Sequence, residues 1–587
     1  MKYIDSSVIA GLTRNPLKIV NKTLTTGQEI PLSGGMTRMV IIILMTFAIV
    51  SCSDFLERDK KIDTNLTYEQ IFSDPHLAAG FLNDAYSNLP DGFNRIDSTL
   101  LASACDEAEH SDAGSEVRLF NNNSISASYN PDDAWDKMYA GIRKCNIFLK
   151  ELDGLIALHN SIAENDRPNY RGQALFLRAF YHFELLKRYQ NIIYVDTVID
   201  AFNENEAFAF SQIDFQDAVN RIAADCDSAT ALLPDKITTD ENKGRPAKAA
   251  PMALKARMYL YAASPLNNPA NDITLWERAE KAAQDIYDKK GTFGIALMDK
   301  GSFGKIFTEP YNKEIIFSTQ ASNRNDIEKA NYPISYQGNG YTNPSQDLVD
   351  EFVMASTAYN NSQNGYDPAN PYNKREDRFA ATILYNNATF KDSQVETFVG
   401  GKDGLFATST ATKTGYYMRK FIAPLNLEKN ETARRPWIFF RFAEVILMYA
   451  EARNEVLAAP DSKVYSLLNE IRSRAGLRNN LAASQLKGDL SPKDEIRNYI
   501  KHERRVELAF EEHRFWDLRR WKDAETVLNK PLQGMKIEKQ GDSFTYTPFD
   551  AAQRIFDPKF YWYPIPRAEI LKYKSKGIEL KQNTGWE

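Results

Sequence analysis

The chain has 587 residues, 43% hydrophobic and 26% charged, with Lys+Arg 72 against Asp+Glu 78 for a formal net charge of −6. That balance is ordinary for a folded protein and leaves no basic surface for nucleic acid. Cys52, Cys105, Cys145 and Cys226 and the six histidines show no CxxC or HxxxH spacing, which argues against zinc; with Cys52 used otherwise, buried free thiols are expected. No phosphate loop, nucleophile elbow, HExxH or GxGxxG occurs, so no cofactor or metal is expected.

In chain order, Met39–Val50 (MVIIILMTFAIV) is the only long apolar run. It is too short to span a bilayer comfortably and suits the apolar core of a signal peptide. Ile49-Val50-Ser51-Cys52 then resembles a bacterial lipobox, in which the cysteine is acylated and becomes the N-terminus. Residues 1–51 are therefore expected to be a signal peptide whose basic start is Met36-Thr37-Arg38, with translation from Met36. Residues 52–66, polar and charged, are expected to be a lipidated tether to a membrane.

Residues 67–300 read as an N-terminal helical part. Phe81, Ala85 and Leu89 fall at i, i+4, i+8 after an Asp74-Pro75 start. A turn follows at Pro90–Asn94, then an irregular polar stretch from Ala104 to Asn130, then a helix from Trp135. Gln173–Tyr189 is apolar nearly all round and should be a central buried helix, with His182 a satisfied core histidine. Met252–Ala263 is another, stopped by Ser264-Pro265. Ala174 and Phe180, Ala253 and Tyr259, and Ala443 and Tyr449 each place a small residue six before an aromatic, the packing logic of tetratricopeptide helix pairs.

Residues 301–435 are rich in Asn, Gly, Ser and Tyr, with strand-like runs at Glu314–Phe317 and Ala381–Tyr385. Long stretches without helical period are usually functional or disordered. Tyr332–Tyr341 gathers three tyrosines, two amides and two glycines in one loop. The rings offer stacking faces with a polar tip, and the glycines let backbone approach a ligand. The candidate ligand set is Tyr332, Tyr336, Gln337, Asn339 and Tyr341, with Phe93 and Asn94 of the early turn as a second wall.

Residues 436–587 form a C-terminal helical part closing the same domain. Phe440–Val456 and Val464–Leu477 should make a helix hairpin. Asp494–Trp521, free of Gly and Pro, is expected to be one helix. Glu503, Glu507 and Glu511 recur at i, i+4, i+8 and repel one another. Arg504, Arg505, Arg514, Arg519 and Arg520 are close enough to offset this, and Glu503, Glu507, Glu511 and Arg514 are expected to share a structural ionic network. His502 is expected to face solvent without a role. Catalytic carboxylate pairs usually come from different elements flanking a bond, so a structural helix is preferred to a glycoside hydrolase, which stays as the outside alternative.

Glu503–Trp521, ERRVELAFEEHRFWDLRRW, closely resembles the C-terminal helix of the SusD/RagB family, the surface glycan-binding lipoproteins of Bacteroidetes-type nutrient uptake. Trp135, Tyr139, Ile142 and Asn146 match its W-x-x-x-Y-x-x-I-x-x-x-N element. Asn343-Pro344-Ser345-Gln346, Tyr563-Pro564-Ile565-Pro566 and Gln582–Trp586 match other landmarks, and Ser53-Asp54 resembles the surface-export signature. Tyr189-Gln190 departs from the family's Tyr-Gly turn. The resemblance implies a mainly α fold: a tetratricopeptide-like helix-pair scaffold with a long irregular loop-rich insertion and a few short strands. It implies a binding protein rather than an enzyme, anchored through lipid on the outer face of the outer membrane. There it would capture oligosaccharides and sit as a lid on a TonB-dependent SusC-like transporter. A peptide or other nutrient is the alternative cargo.

Overall fold

Helix starts follow their caps. Asp74 accepts the amides of His76 and Leu77 at 2.8 and 2.9 Å ahead of Pro75, opening α1 (Pro75–Tyr86). The computed structural model describes residues 66–200, 203, 206, 208–355, 365–478 and 480–587. The expected signal peptide, the Met36 start, Cys52 and all of the tether but Leu66 lie outside the described residues. After α1 come α2 (Trp135–Asp153), α3 (Arg167–Tyr189), α4 (Phe215–Leu232), α5 (Ala249–Ala263) and α6 (Ile273–Asp288), each packed on the one before. Residues 289–441 then leave the array, carrying α7 (Gln346–Glu351). The array resumes where α8 (Phe442–Val456) packs on α6, and α8 in turn carries α9 (Ser462–Arg474) and α10 (Pro492–Glu507). Helices adjacent in space are thus separated in sequence by the whole loop-rich region. The fold is mainly helical, a tetratricopeptide-like stack with short strands.

Small residues set how closely these helices approach. A Cβ on Gly141 of α2 would stand 2.6 Å from the Tyr181 ring of α3, and the Tyr181 hydroxyl donates to the Ala85 carbonyl of α1 at 2.5 Å. Ala174, Ala253 and Ala443 are fully buried, and their aromatic partners Phe180, Tyr259 and Tyr449 are buried too. His182 is a core histidine: the Val195 amide donates to its Nε2 at 3.2 Å and its ring stacks on Tyr194 at 4.3 Å. Burial, reinforced by the Arg178 charge, lowers its imidazole to about 3, so it is neutral. At the end of α3, Gln190 takes φ +62°, a conformation that favours glycine.

The strands pair antiparallel and most are short; those that matter below are β1 (Ala108–His110), β2 (Ile315–Ser318), β3 (Thr342–Pro344), β4 (Ile438–Arg441) and the longer β5 (Leu532–Gln540) and β6 (Ser543–Ala552). β1 pairs with β3, β2 with β4, and β5 with β6. The expected strand at Ala381–Tyr385 is shorter than read, because Asp377–Thr382 is helical and only Ile383–Leu384 is extended.

The expected single helix from Asp494 to Trp521 is broken. α10 ends at Glu507, Phe510 and Glu512 stand at φ +65° and +68°, and α11 (His513–Arg520) starts afresh. Groups from elsewhere take over the backbone there. The Phe510 amide donates to Glu107 at 3.2 Å, the Glu507 carbonyl accepts from Arg441 at 2.7 Å, and the Ala509 carbonyl accepts from Lys420 at 2.8 Å.

The carboxylates at this break are neutralised from a distance. Arg378 donates to Glu503 and Glu507 at 2.5 and 2.9 Å. Arg441 donates to Glu507 and Glu511 at 2.7 Å each and Arg474 also binds Glu507, while Lys420 reaches Glu511 at 2.7 Å. All of these side chains are buried. The neighbouring arginines, expected to do this, are engaged elsewhere. Arg504 and Arg520 hold Asp517, Arg505 bridges Glu351 and Asp106, and Arg519 lies over the Phe515 ring. Arg514 is likewise outside the Glu507 network: it forks onto Asp106 at 2.9 and 2.8 Å, because the break turns α11 away from the α10 face. His502 is not idle in solvent but lies 2.6 Å from Glu351.

Candidate ligand-binding site

The Tyr332–Tyr341 loop leaves a short helix, Asp326–Asn331, turns at Gln337 (φ +67°) and Gly340 (φ +57°), and enters β3. Gly340 is needed where it stands: a Cβ there would meet the Tyr417 ring at 2.6 Å and the Thr410 carbonyl at 3.2 Å. The Tyr341 amide donates to Ala330 and its carbonyl accepts from Ser111, at 2.9 and 3.0 Å. Pairing of β3 with β1 sets His110 opposite Thr342, and the His110 ring stacks on Tyr341 at 4.7 Å with 29° between planes. His110 Nδ1 lies 3.1 Å from the Asp112 amide and 3.2 Å from the Asp112 carbonyl, so the Asp112 backbone holds the ring in place. Burial lowers the His110 pKa and keeps the ring neutral.

The early turn reaches the same place by a different residue from those expected. Phe93 is no wall: it is buried edge-on between Phe421 and Trp437, at 5.3 and 4.9 Å. Asn94 is exposed and works on its own loop, accepting the Ser98 amide at 2.7 Å. That bond braces a two-residue turn in which Asp97 and Ser98 both hold positive φ, +47° and +61°, between the bridged Ile96 and Thr99. Asp97 stands exposed at its tip. Burial first, then the charges of Asp112 and Asp97, raise the Tyr341 phenol above its ordinary value.

Of the other expected residues, Asn339 is exposed and its carbonyl accepts the Ser111 hydroxyl at 3.3 Å, beside Tyr341. Tyr332 is fully buried, its hydroxyl bonded to the Ala423 carbonyl and its ring against Phe390, so it is core. Tyr336 packs edge-on against Phe390 at 5.1 Å with its hydroxyl on Ser393, and Gln337 donates to Glu428 at 2.6 Å. Tyr336 is thus half-buried against its own neighbours in the loop-rich region, while Gln337 is exposed.

Further residues, not singled out by the sequence, stand on the neighbouring segments. The Lys413 amide donates to Asn343 at 2.9 Å, which fastens the 404–413 loop beside β3. From that loop Phe406 is 55% exposed at φ +58°, with the Lys413 ammonium 5.3 Å from its ring. Tyr129 is 50% exposed, bonded through its hydroxyl to Glu116 and within electrostatic reach of Asp97. Phe406, in a run of small polar residues, carried a usable signal; His110 and Tyr129 did not.

Residues 305–586 match the family model described as the SusD family, and residues 54–260 match one described as starch-binding associating with outer membrane. The SusD-like protein P2 of Formosa agariphila is 26% identical over 504 residues, 82% of this chain and 90% of that protein. A solved SusD-like protein from Bacteroides fragilis NCTC 9343 superposes with a TM-score of 0.72 at 26% identity, over 88% of this chain and 98% of the other. A SusD-like carbohydrate-binding protein from the same strain gives 0.69 at 24%, over 85% and 98%, a likeness of fold. Matches to both the helical array and the loop-rich half agree, and the chain belongs to the SusD/RagB family.

Proposed function

We propose that this protein binds an oligosaccharide in the cleft around Tyr341 and passes it to a TonB-dependent SusC-like transporter, held on the outer face of the outer membrane by acyl chains on Cys52. The observation that carries the binding site is the pair of unburied rings on segments that meet at β3, Tyr341 just before it and Phe406 on the loop that Lys413 fastens to Asn343, with Asp112 and Asn339 exposed on the neighbouring segments. Sugars present apolar C–H faces that stack on rings and hydroxyls that need carboxylate or amide partners. Phe406 holds its ring in solvent from a positive-φ backbone, an expensive conformation for a bulky residue away from a ligand site. The description of the family model over 54–260 and the carbohydrate-binding relative support a glycan as cargo.

Binding without bond chemistry is the reading that fits the acidic residues of α10. Glu503 and Glu507 are buried and hold guanidiniums, leaving neither as a general acid or base. The test is isothermal titration with a panel of oligosaccharides. Replacing Tyr341 and Phe406 by Ala weakens binding by about 1–3 kcal/mol in all, whereas Tyr336→Ala leaves it unchanged. Unchanged affinity in the first variant, with an intact melting profile, refutes the site. Cys52→Ala releases the protein from membranes, and co-purification with a TonB-dependent barrel under mild detergent checks the partner.

A further inference from the structure

We infer that the cleft takes an acidic sugar chain, Lys413 receiving a carboxylate or sulfate group on the sugar unit that stacks against Phe406; this rests on the reading of the cleft as the glycan site. Two contacts set the loop of Phe406 and Lys413 beside Tyr341. The Lys413 amide donates to Asn343 at 2.9 Å, and the Thr410 carbonyl lies against Gly340, 3.2 Å from where a Cβ would stand. The loop closes on itself where the Phe406 amide donates to the Thr412 carbonyl at 3.3 Å, which brings the Lys413 ammonium to 5.3 Å from the centre of the exposed Phe406 ring.

That ammonium is not neutralised. It donates to the Ser409 carbonyl at 2.8 Å, a neutral group that holds the charge at the ring, and among the described residues no carboxylate pairs with it. An ammonium has donors to spare beyond one such bond. The acids of this region are placed differently. Glu109, paired across the strands with Asn343, is buried between Arg118 at 3.0 Å and Arg554 at 2.6 Å, so two guanidiniums answer its charge. Asp112 is exposed, accepts the Gly114 amide at 2.8 Å, and through its backbone holds the His110 ring that stacks on Tyr341. Asp112 thus belongs to the Tyr341 side of the cleft and Lys413 to the Phe406 side. A sugar acid laid across both turns hydroxyl donors toward Asp112 and anionic oxygens toward Lys413. Lys413 covers one face of Phe406, so stacking falls to the other, with a ring substituent at the edge within reach of a flexible four-carbon side chain. The net charge of −6 opposes any anion at long range, but physiological salt screens beyond about 8 Å. One ion pair at about 4 Å in watery surroundings changes binding about fivefold.

The experiment is isothermal titration at physiological salt with matched chains: oligogalacturonate and oligoglucuronate beside their methyl esters, and sulfated galactan oligosaccharides beside the desulfated chains. Wild type, Tyr341→Ala, Lys413→Gln and Lys413→Arg are compared, each with its melting profile; Gln keeps a donor for the Ser409 carbonyl and removes the charge. Wild type is expected to bind at least one acidic chain about fivefold more tightly than its neutral match, and which pair shows it tells carboxylate from sulfate. Lys413→Gln is expected to erase that preference, Lys413→Arg to retain it, and Tyr341→Ala to weaken all binding. A wild-type preference below twofold in every pair, failure of every acidic chain to bind, or a preference that survives in Lys413→Gln overturns the charge inference. The site still stands in those cases if Tyr341→Ala weakens what binding there is. Binding untouched by Tyr341→Ala removes the site itself, and this inference with it.

Discussion

Glu507→Ala is the sharpest test of what holds the two halves together. The Glu507 carboxylate is fully buried and takes Arg441 at 2.7 Å, Arg378 at 2.9 Å and Arg474 as well. Those arginines come from β4, from the helix at 377–382 and from α9, so one side chain joins three distant segments to α10. Without it, the carboxylate left to Arg474 among the described residues is Glu314, at 3.7 Å. Removing one partner of a buried ion pair costs about 3–5 kcal/mol. For a chain of this size that is a fall of roughly 3–5 °C in Tm, extrapolating the per-residue unfolding entropy. Urea unfolding at an unchanged slope is the assay, and Arg474→Ala in the Glu507→Ala background should cost at least about 1 kcal/mol less than in wild type. Burial would raise the Glu507 pKa, but Arg474, Arg441 and Arg378 outweigh it and hold it well below the usual carboxylate range. Its contribution is therefore present above the ordinary glutamate range and shrinks as pH falls below about 4. A loss under about 1 kcal/mol at neutral pH, or no coupling to Arg474, refutes the network as the clamp.

Three further outcomes are expected. Gln190→Gly, at φ +62°, relieves a left-handed non-glycine residue and should raise stability by about 1 kcal/mol in denaturant titration. The hydrogen bond to Glu351 overcomes burial and raises the His502 pKa, so the stabilisation from its charged form is full below about pH 6.5 and is lost as pH rises through the raised value. His502→Gln should accordingly cost about 1 kcal/mol near pH 5 and much less near pH 9, measured by unfolding at both. Gly340→Ala drives a Cβ into the Tyr417 ring from a positive-φ position and should cost at least about 1 kcal/mol while weakening glycan binding, read by melting and titration on one sample.

The long helices were legible because burial of one face imposes a period that local sequence carries, as in Gln173–Tyr189. The continuity of α6 with α8 was not, since nothing near Asp288 or Phe442 encodes the return across 289–441. The break after Glu507 was hidden for a related reason: Glu107, Arg441 and Lys420 capture the backbone there, and none is within sixty residues of it. In the candidate site, composition singled out the loop but could not rank its tyrosines. Tyr332 and Tyr341 differ only in what lies opposite, Phe390 and Ala423 for one and His110 for the other. Finding His110 requires the register of β1 on β3. Phe406 was one of 33 phenylalanines, and its setting among small residues hinted at the exposure that the structure gives it.

The long-range clamp also bears on when the protein can close. Arg378 and Arg441 are made well before Glu503, Glu507 and Glu511, and three ties run from the last residues to early ones. Arg554 holds Glu109, the Tyr563 hydroxyl donates to Asp132, and Asn583 donates to the Tyr189 carbonyl. A chain stopped short of Glu503 therefore has guanidiniums destined for burial and too few carboxylates to receive them. Contacts so distant in sequence delay folding, because loop closure precedes their reward. A polypeptide that stays open until its final stretch has emerged is one that a secretion channel can thread.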